Sequence, residues 1–424
     1  MDNQNKFLSL RQQYPQFIYE GYRYKIVDNQ IDIQFDYTIG DAIRFSPKMR
    51  LETGKYGVTA NAADLDGIVF HIGLIELISY WKCTCSPKVL VRGHHLSENQ
   101  QLWWKKLYWK GLGEFFYQNG IKTDIQEFLQ FEFDNEEPIE DFHYQKVSNT
   151  KGVIVPIGGG KDSVVTLEHL RKKQKIVPFI INPRGATLAC ARIAGFPNLE
   201  DIVVLHREIS PKLLELNRQG FLNGHTPFSA MLAFYSVLVS AATNIREVAL
   251  SNESSANEPT IPGTEINHQY SKSLEFEEDF RAYVKANMND INHYYSYLRP
   301  YCELEIAEFF AQYPDYFPVF KSCNAGSKTD VWCCNCPKCL FAYIILSPFI
   351  DDKTMIGIFG EDLLNKESLT TYFDELTGIA DVKPFECVGT IDEVNQALSM
   401  IYESRKDKYL VNRWKNLRRR DINS

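Results

Sequence analysis

"VIVPIGGGKDS", residues 153–163, runs from five apolar positions through three glycines into Lys161, Asp162 and Ser163. A short β-branched run bounded by glycine reads as a buried strand, and the polar residues after it open a helix near Asp162. Glycines let backbone N–H groups approach an anion closely, and a helix N-terminus adds partial positive charge. The loop Gly158, Gly159, Gly160, Lys161, Asp162, Ser163 is therefore expected to cradle phosphate. It is not a Walker A loop, because Asp162 rather than Ser or Thr follows Lys161, and it is not GxGxxG.

Outward from this loop, short apolar strands alternate with helices. "GVIVPI" is followed by a helix over 162–173, then "KIVPFIIN", "DIVVLH", the helix "TPFSAMLAFYSVLVSAATN" and "EVALSNE". Thr226 is expected to cap that helix, with Pro227 in its first turn. The alternation predicts a parallel sheet of α/β, doubly wound type. Before residue 150 the pattern differs. "QFIYEGYRYKIVDNQIDIQFDY" alternates at period two around a "DNQ" turn, 64–82 is helical, "SPKVLVRG" is a short strand, and an aromatic-rich helix ends at Gly120. The acidic "FDNEEPIEDF" (133–142) reads as a linker. The expected domains are thus a smaller α+β domain, 1–145, and an α/β domain, 146–424.

The loop resembles the PP-loop of the ATP pyrophosphatase family, Ser-Gly-Gly-x-Asp-Ser: Gly159, Gly160, Asp162 and Ser163 match, while Gly158 replaces the first serine. The resemblance implies a PP-loop (adenine nucleotide alpha hydrolase-like) fold for 146–424. It also implies ATP split into AMP and pyrophosphate with Mg²⁺, to adenylate an oxygen of the substrate. On that resemblance Asp162 helps position Mg²⁺, and Lys161 or Arg184 contacts phosphate.

Five of the ten cysteines crowd into 323–339. Cys323, Cys333, Cys336 and Cys339 have the spacing of a closed tetrahedral Zn²⁺ site, with Cys334 spare; a redox pair or buried thiols are the alternatives. Polar stretches sit where ligands meet an α/β sheet: "NPRGAT" (182–187), "NGHTPFS" (223–229) and the long 251–277 segment.

Taken together, "HIGLIELISYWK" (71–82), the aromatic helix 99–120, "PIGGGKDS" (156–163), "SNESSAN" (251–257), "NHQYSKS" (267–273) and "CPKC" (336–339) resemble the MurL family. These are ATP-dependent epimerases of the terminal glutamate in UDP-N-acetylmuramoyl-L-alanyl-L-glutamate, a peptidoglycan precursor. The resemblance runs from about residue 15 to residue 394. It implies activation of the glutamate carboxylate, removal of the acidified α-proton and its return on the other face. His225, His268, Lys272 and Glu253 are the candidate bases. Arg92, His94 and His95 could touch the nucleotide sugar or simply form a structural loop.

Composition sets limits. Net charge is −8, so no global field draws the chain to nucleic acid, although 405–420 is basic and is either a solvated helix or a contact for an anion. The first residues lack a basic segment followed by an apolar one, and the longest apolar stretch, 228–242, is too short for a membrane span. A cytoplasmic enzyme is expected. A PP-loop enzyme of RNA modification, including deazaguanine nitrile synthesis, is the alternative, since such enzymes carry a similar cysteine cluster. A nucleotide-binding sensor is the third reading.

Overall fold

The computed structural model describes residues 2–134, 142–148, 151–261 and 263–422; the core of the expected 133–142 linker lies outside them. The chain is a mixed α/β protein, with eleven strands and fifteen α-helices among the described residues. It divides into two compact units that interleave along the sequence. One comprises Met1–Ile154, Leu199–Val248 and Glu265–Tyr294, the other Val155–Asn198, Ala249–Thr264 and Tyr295–Ser424. The division does not follow a single break at 145/146.

In the first unit, strands Gln16–Val27 and Gln30–Ile39 form an antiparallel hairpin in which Val27 faces Gln30. Asp28 takes φ +52, the left-handed turn conformation that the "DNQ" signal anticipates. Gln30–Ile39 alternates buried and half-buried residues along its length, so one face lies on the core. Beyond the hairpin, Lys88–Val91 runs parallel to Gln16–Val27, and Lys48–Glu52 antiparallel to Gln30–Ile39.

Strand Val203–Glu208 corrects the expectation of a purely parallel, doubly wound sheet after residue 146. It pairs antiparallel with Lys48–Glu52, Leu51 opposite Leu205, so this unit's sheet is mixed. Its apolar half, Val203–Leu205, is buried as a parallel strand would be, which is why alternation alone misleads. The parallel reading holds for Gly152–Pro156 and Glu247–Leu250, paired through Val153 with Glu247 and Ile154 with Val248.

Helix Ala62–Trp81 is capped by a reciprocal Asn61–Asp64 box and buried on every face from Gly67 to Trp81. A Cβ at Gly73 would stand 1.8 Å from the Tyr19 hydroxyl, so only glycine lets the helix lie this close to the sheet. The aromatic helix divides into Glu98–Gly111 and Gly113–Gln118, with Gly120 at φ +62 closing the segment. Helix Phe228–Thr243 starts two residues beyond Thr226, with Pro227 at the cap position. The Thr226 hydroxyl does not cap it; it accepts from the Lys82 ammonium instead.

In the second unit, the Ile157 N–H donates to Phe179 O of strand Lys175–Ile181. Helices Lys161–Leu170, Gly185–Ile193 and Glu303–Ala311 belong here, as do the helices from Pro337 to Ile422.

Candidate functional site

The glycine loop joins the strand ending at Pro156 to helix Lys161–Leu170. Gly159 adopts φ +83, and a Cβ there would press on the backbone of Ala186 and Thr187 at 3.2–3.3 Å. Gly158 faces open space, so the position where the related motif has serine is not closed by the fold. Gly160 stands at the N-cap in an extended conformation, and no side chain caps the helix. Its first N–H groups are thus left for another acceptor, as anion-binding helix termini leave them. The Ser163 hydroxyl donates to Gly160 O at 2.9 Å.

Lys161 is buried, and its Nζ donates to Asp162 Oδ1 at 2.5 Å and to Glu303 Oε2. Burial alone would lower the ammonium's pKa, but Asp162 and Glu303 together raise it above the ordinary lysine range. Burial pushes the Glu303 carboxyl up, to about 8, against the pull of Lys161, and the charges of Asp162 and Glu253 push the same way. One cation thus stands among three acids, an excess of negative charge and oxygen ligands that suits a hard divalent cation. Glu253 is itself buried, its Oε1 accepting from Ser255 at 3.0 Å and its carbonyl from Arg299 at 2.7 Å.

Of the four candidate bases, His225 and His268 come together in the first unit with Glu114, a residue the sequence did not single out. His268 Nδ1 lies 2.5 Å, and His225 Nδ1 3.1 Å, from Glu114 Oε2. The imidazole centroids are 4.7 Å apart. Burial lowers the pKa of His225 to about 4, helped by His268 and Lys82 and opposed by Glu114, so its ring is neutral near pH 7. Lys82 holds the segment in place: its Nζ donates to the Gly224 carbonyl, to the His225 carbonyl at 3.0 Å and to the Thr226 hydroxyl. Lys272, in the turn Tyr270–Lys272, reaches Gln269 Oε1 at 3.5 Å, while Glu253 belongs to the second unit.

The four predicted thiols converge. Sγ separations are 3.9 Å for Cys323–Cys336, 3.7 Å for Cys333–Cys339 and 3.5 Å for Cys336–Cys339. Thiolates bound tetrahedrally at ~2.3 Å stand about 3.8 Å apart, so the set can hold a structural metal. N–H groups of Gly326, Asn335 and Cys339 point at three of the sulfurs, at 3.2, 3.5 and 3.4 Å. Cys334 faces the Phe359 carbonyl instead.

Other expectations separate. Arg184 is exposed at the N-cap of helix Gly185–Ile193, whose first N–H groups are already taken by Asp330 at 2.9 and 3.0 Å. In the first unit Arg92 pairs with Glu20 at 2.9 Å, His94 stacks on Tyr22, and His95 meets Phe133 at a tilt. The basic segment runs from the end of helix Ile391–Arg405 into helix Tyr409–Ile422: Arg413 grips Asp374 at 2.9 and 2.7 Å, Lys408 pairs with Asp362 at 2.6 Å, and Arg405 reaches Asp352 at 2.6 Å. Those charges are matched internally. No helix among the described residues is long and apolar enough to cross a membrane.

The chain matches two family descriptions, the MurL N-terminal domain over residues 9–297 and the MurL C-terminal domain over 319–421. Three similar proteins are each named UDP-N-acetyl-alpha-D-muramoyl-L-alanyl-L-glutamate epimerase. That of Micromonospora sp. is 34% identical, covering 81% of this chain and 76% of its own. That of Salinispora tropica is 35% identical, covering 80% and 74%. That of Xanthomonas oryzae pv. oryzae is 34% identical, covering 81% and 76%.

Proposed function

The chain belongs to the MurL family, and from that premise we propose that this epimerase inverts the terminal L-glutamate of UDP-N-acetylmuramoyl-L-alanyl-L-glutamate, with ATP consumed to AMP and pyrophosphate. It works in the cytoplasm, on a precursor of peptidoglycan. The relatives' shared name supports the substrate. The observation that supports ATP use is the uncapped helix N-terminus behind a glycine loop with open space at Gly158.

In this reading Gly158, Gly159 and Gly160 present backbone N–H groups to phosphate, with Ser163 fixing the loop. Asp162, with Glu303 and Glu253 nearby, would hold Mg²⁺, which would offset phosphate charge while the carboxylate is adenylated. Lys161, kept cationic by its acids, meets the negative charge of departing pyrophosphate. Adenylation removes the charge of the glutamate carboxylate and so acidifies the α-proton. The proton exchange at Cα is assigned to the site formed by Glu114, His225 and His268, because it gathers two imidazoles and a carboxylate in one sheltered group. Lys272 and Arg184 are given binding roles only. Residues 146–424 carry the nucleotide chemistry, and the thiol cluster takes structural Zn²⁺.

The test is substrate-dependent pyrophosphate release. Asp162→Ala should abolish it while leaving the circular dichroism spectrum unchanged. Undiminished release in that variant would remove the loop from the chemistry.

A further inference from the structure

Glu114, His225 and His268 arrive from three separated segments: helix Gly113–Gln118, the turn before helix Phe228–Thr243, and the loop before Tyr270. Each offers one ligand atom, and the three lie within 4.8 Å of one another. Their side chains are 14%, 19% and 12% exposed, sheltered but reachable by an ion. Zinc bonds of ~2.0–2.2 Å to nitrogen and oxygen place ligand atoms about 3.3–3.5 Å apart, so the observed 2.5 and 3.1 Å need only a slight opening.

Two imidazoles and one carboxylate make the donor set of a three-ligand zinc site with a position left open, unlike the closed four-thiolate type. The backbone carrying His225 is restrained as a ligand's should be: Lys82 fixes residues 224–226, and Gly224 sits at φ +157 against Phe115. Charge also permits a cation. The Glu114 carboxylate faces both rings, and the Lys82 ammonium, whose charge acts on His225, is directed at carbonyl and hydroxyl oxygens.

We propose that Glu114, His225 and His268 form a second metal site, taking a divalent transition ion of the zinc class with one position open to water. The site stands on this ligand geometry. Its role rests on the function proposed above: water on such an ion ionises near neutrality and would serve proton exchange at Cα.

The test uses the full chain. Zinc is measured in the wild type, Glu114→Gln, His268→Ala and Cys339→Ser, and the wild type is also loaded with Co²⁺ and its absorption recorded. Expected are two equivalents in the wild type. Glu114→Gln and His268→Ala should each lose one while keeping sulfur-to-cobalt charge transfer. Wild-type Co²⁺ should add visible bands of nitrogen and oxygen ligation beside the sulfur bands. Wild-type spectra with sulfur ligation only would overturn the proposal even if a variant misfolds. So would zinc content unchanged in both Glu114→Gln and His268→Ala. Epimerisation measured alongside separates the two readings: turnover without the second equivalent ends the metal proposal alone, and a second equivalent without turnover ends the epimerase assignment alone.

Discussion

Gly158 and Gly159 are neighbours with opposite tolerance. Gly159 needs φ +83 and lies against the backbone of residues 186 and 187; a side chain at Gly158 meets nothing within 4 Å. Gly159→Ala should therefore cost roughly 1–2 kcal/mol from the left-handed backbone alone and impair pyrophosphate release, whereas Gly158→Ser should keep both stability and turnover. Urea midpoints and the release assay compare the pair, and equal effects would contradict this account of the loop. Both glycines were legible, because a loop motif is local. Glu303 and Glu114 were not. Glu303 reaches Lys161 across 142 positions, and Glu114 sits inside "LGEFFYQ", which reads as part of an aromatic helix. Nothing near either residue signals a partner; only the fold supplies it.

His71 carries a prediction of the same scale. It is fully buried between Gly67 O, 2.6 Å from Nδ1, and the Tyr283 hydroxyl, 2.9 Å from Nε2, and burial lowers its pKa to about 4. The unfolded chain binds the proton first as pH falls, since its histidine titrates near 6.5. The stabilisation is whole above about pH 6.5 and is lost progressively towards 4, amounting to at most about 3 kcal/mol. His225 acts in the same window. Urea midpoints should fall from pH 6.5 to 4.5, and His71→Phe should flatten that slope. An unchanged slope would show that His71 is not the group responsible.

Elements show where pattern reading succeeds and where context overrides it. The hairpin of residues 16–39 was legible because one face is buried and the turn residue takes a left-handed conformation. The capping of helix Phe228–Thr243 was misread: Thr226 precedes Pro227 as a cap should, but a buried ammonium claims its hydroxyl. A charged donor in a sheltered site outcompetes a neutral backbone N–H. The basic run was ambiguous in sequence because its partners, Asp352, Asp362 and Asp374, lie 39 to 53 positions earlier. The cysteine segment was legible from spacing. Gly326 there cannot be replaced, since a Cβ would stand 2.0 Å from Val331 O. With the proposed structural metal in this cluster, Cys339→Ser should lower both the metal content and, by several degrees, the melting temperature. Melting unchanged by this variant, with metal still present, would refute the structural role.

Across the whole molecule, strand Val203–Glu208 marks what the sequence could not disclose. Its apolar run is compatible with parallel or antiparallel pairing, and its partner, Lys48–Glu52, lies about 150 residues earlier. The interleaved units have the same origin: residues 199–248 and 265–294 pack with the N-terminal strands although they follow the loop in sequence. Family membership, in contrast, was legible because it rests on several motifs spread over the chain. The activity is best tested by incubating the protein with ATP, Mg²⁺ and UDP-N-acetylmuramoyl-L-alanyl-L-glutamate in D₂O, and following AMP, glutamate chirality and deuterium at Cα together. The account predicts that D-glutamate appears with deuterium at Cα and with AMP, all three dependent on ATP. Folded protein that binds ATP but yields neither deuterium nor AMP would contradict it.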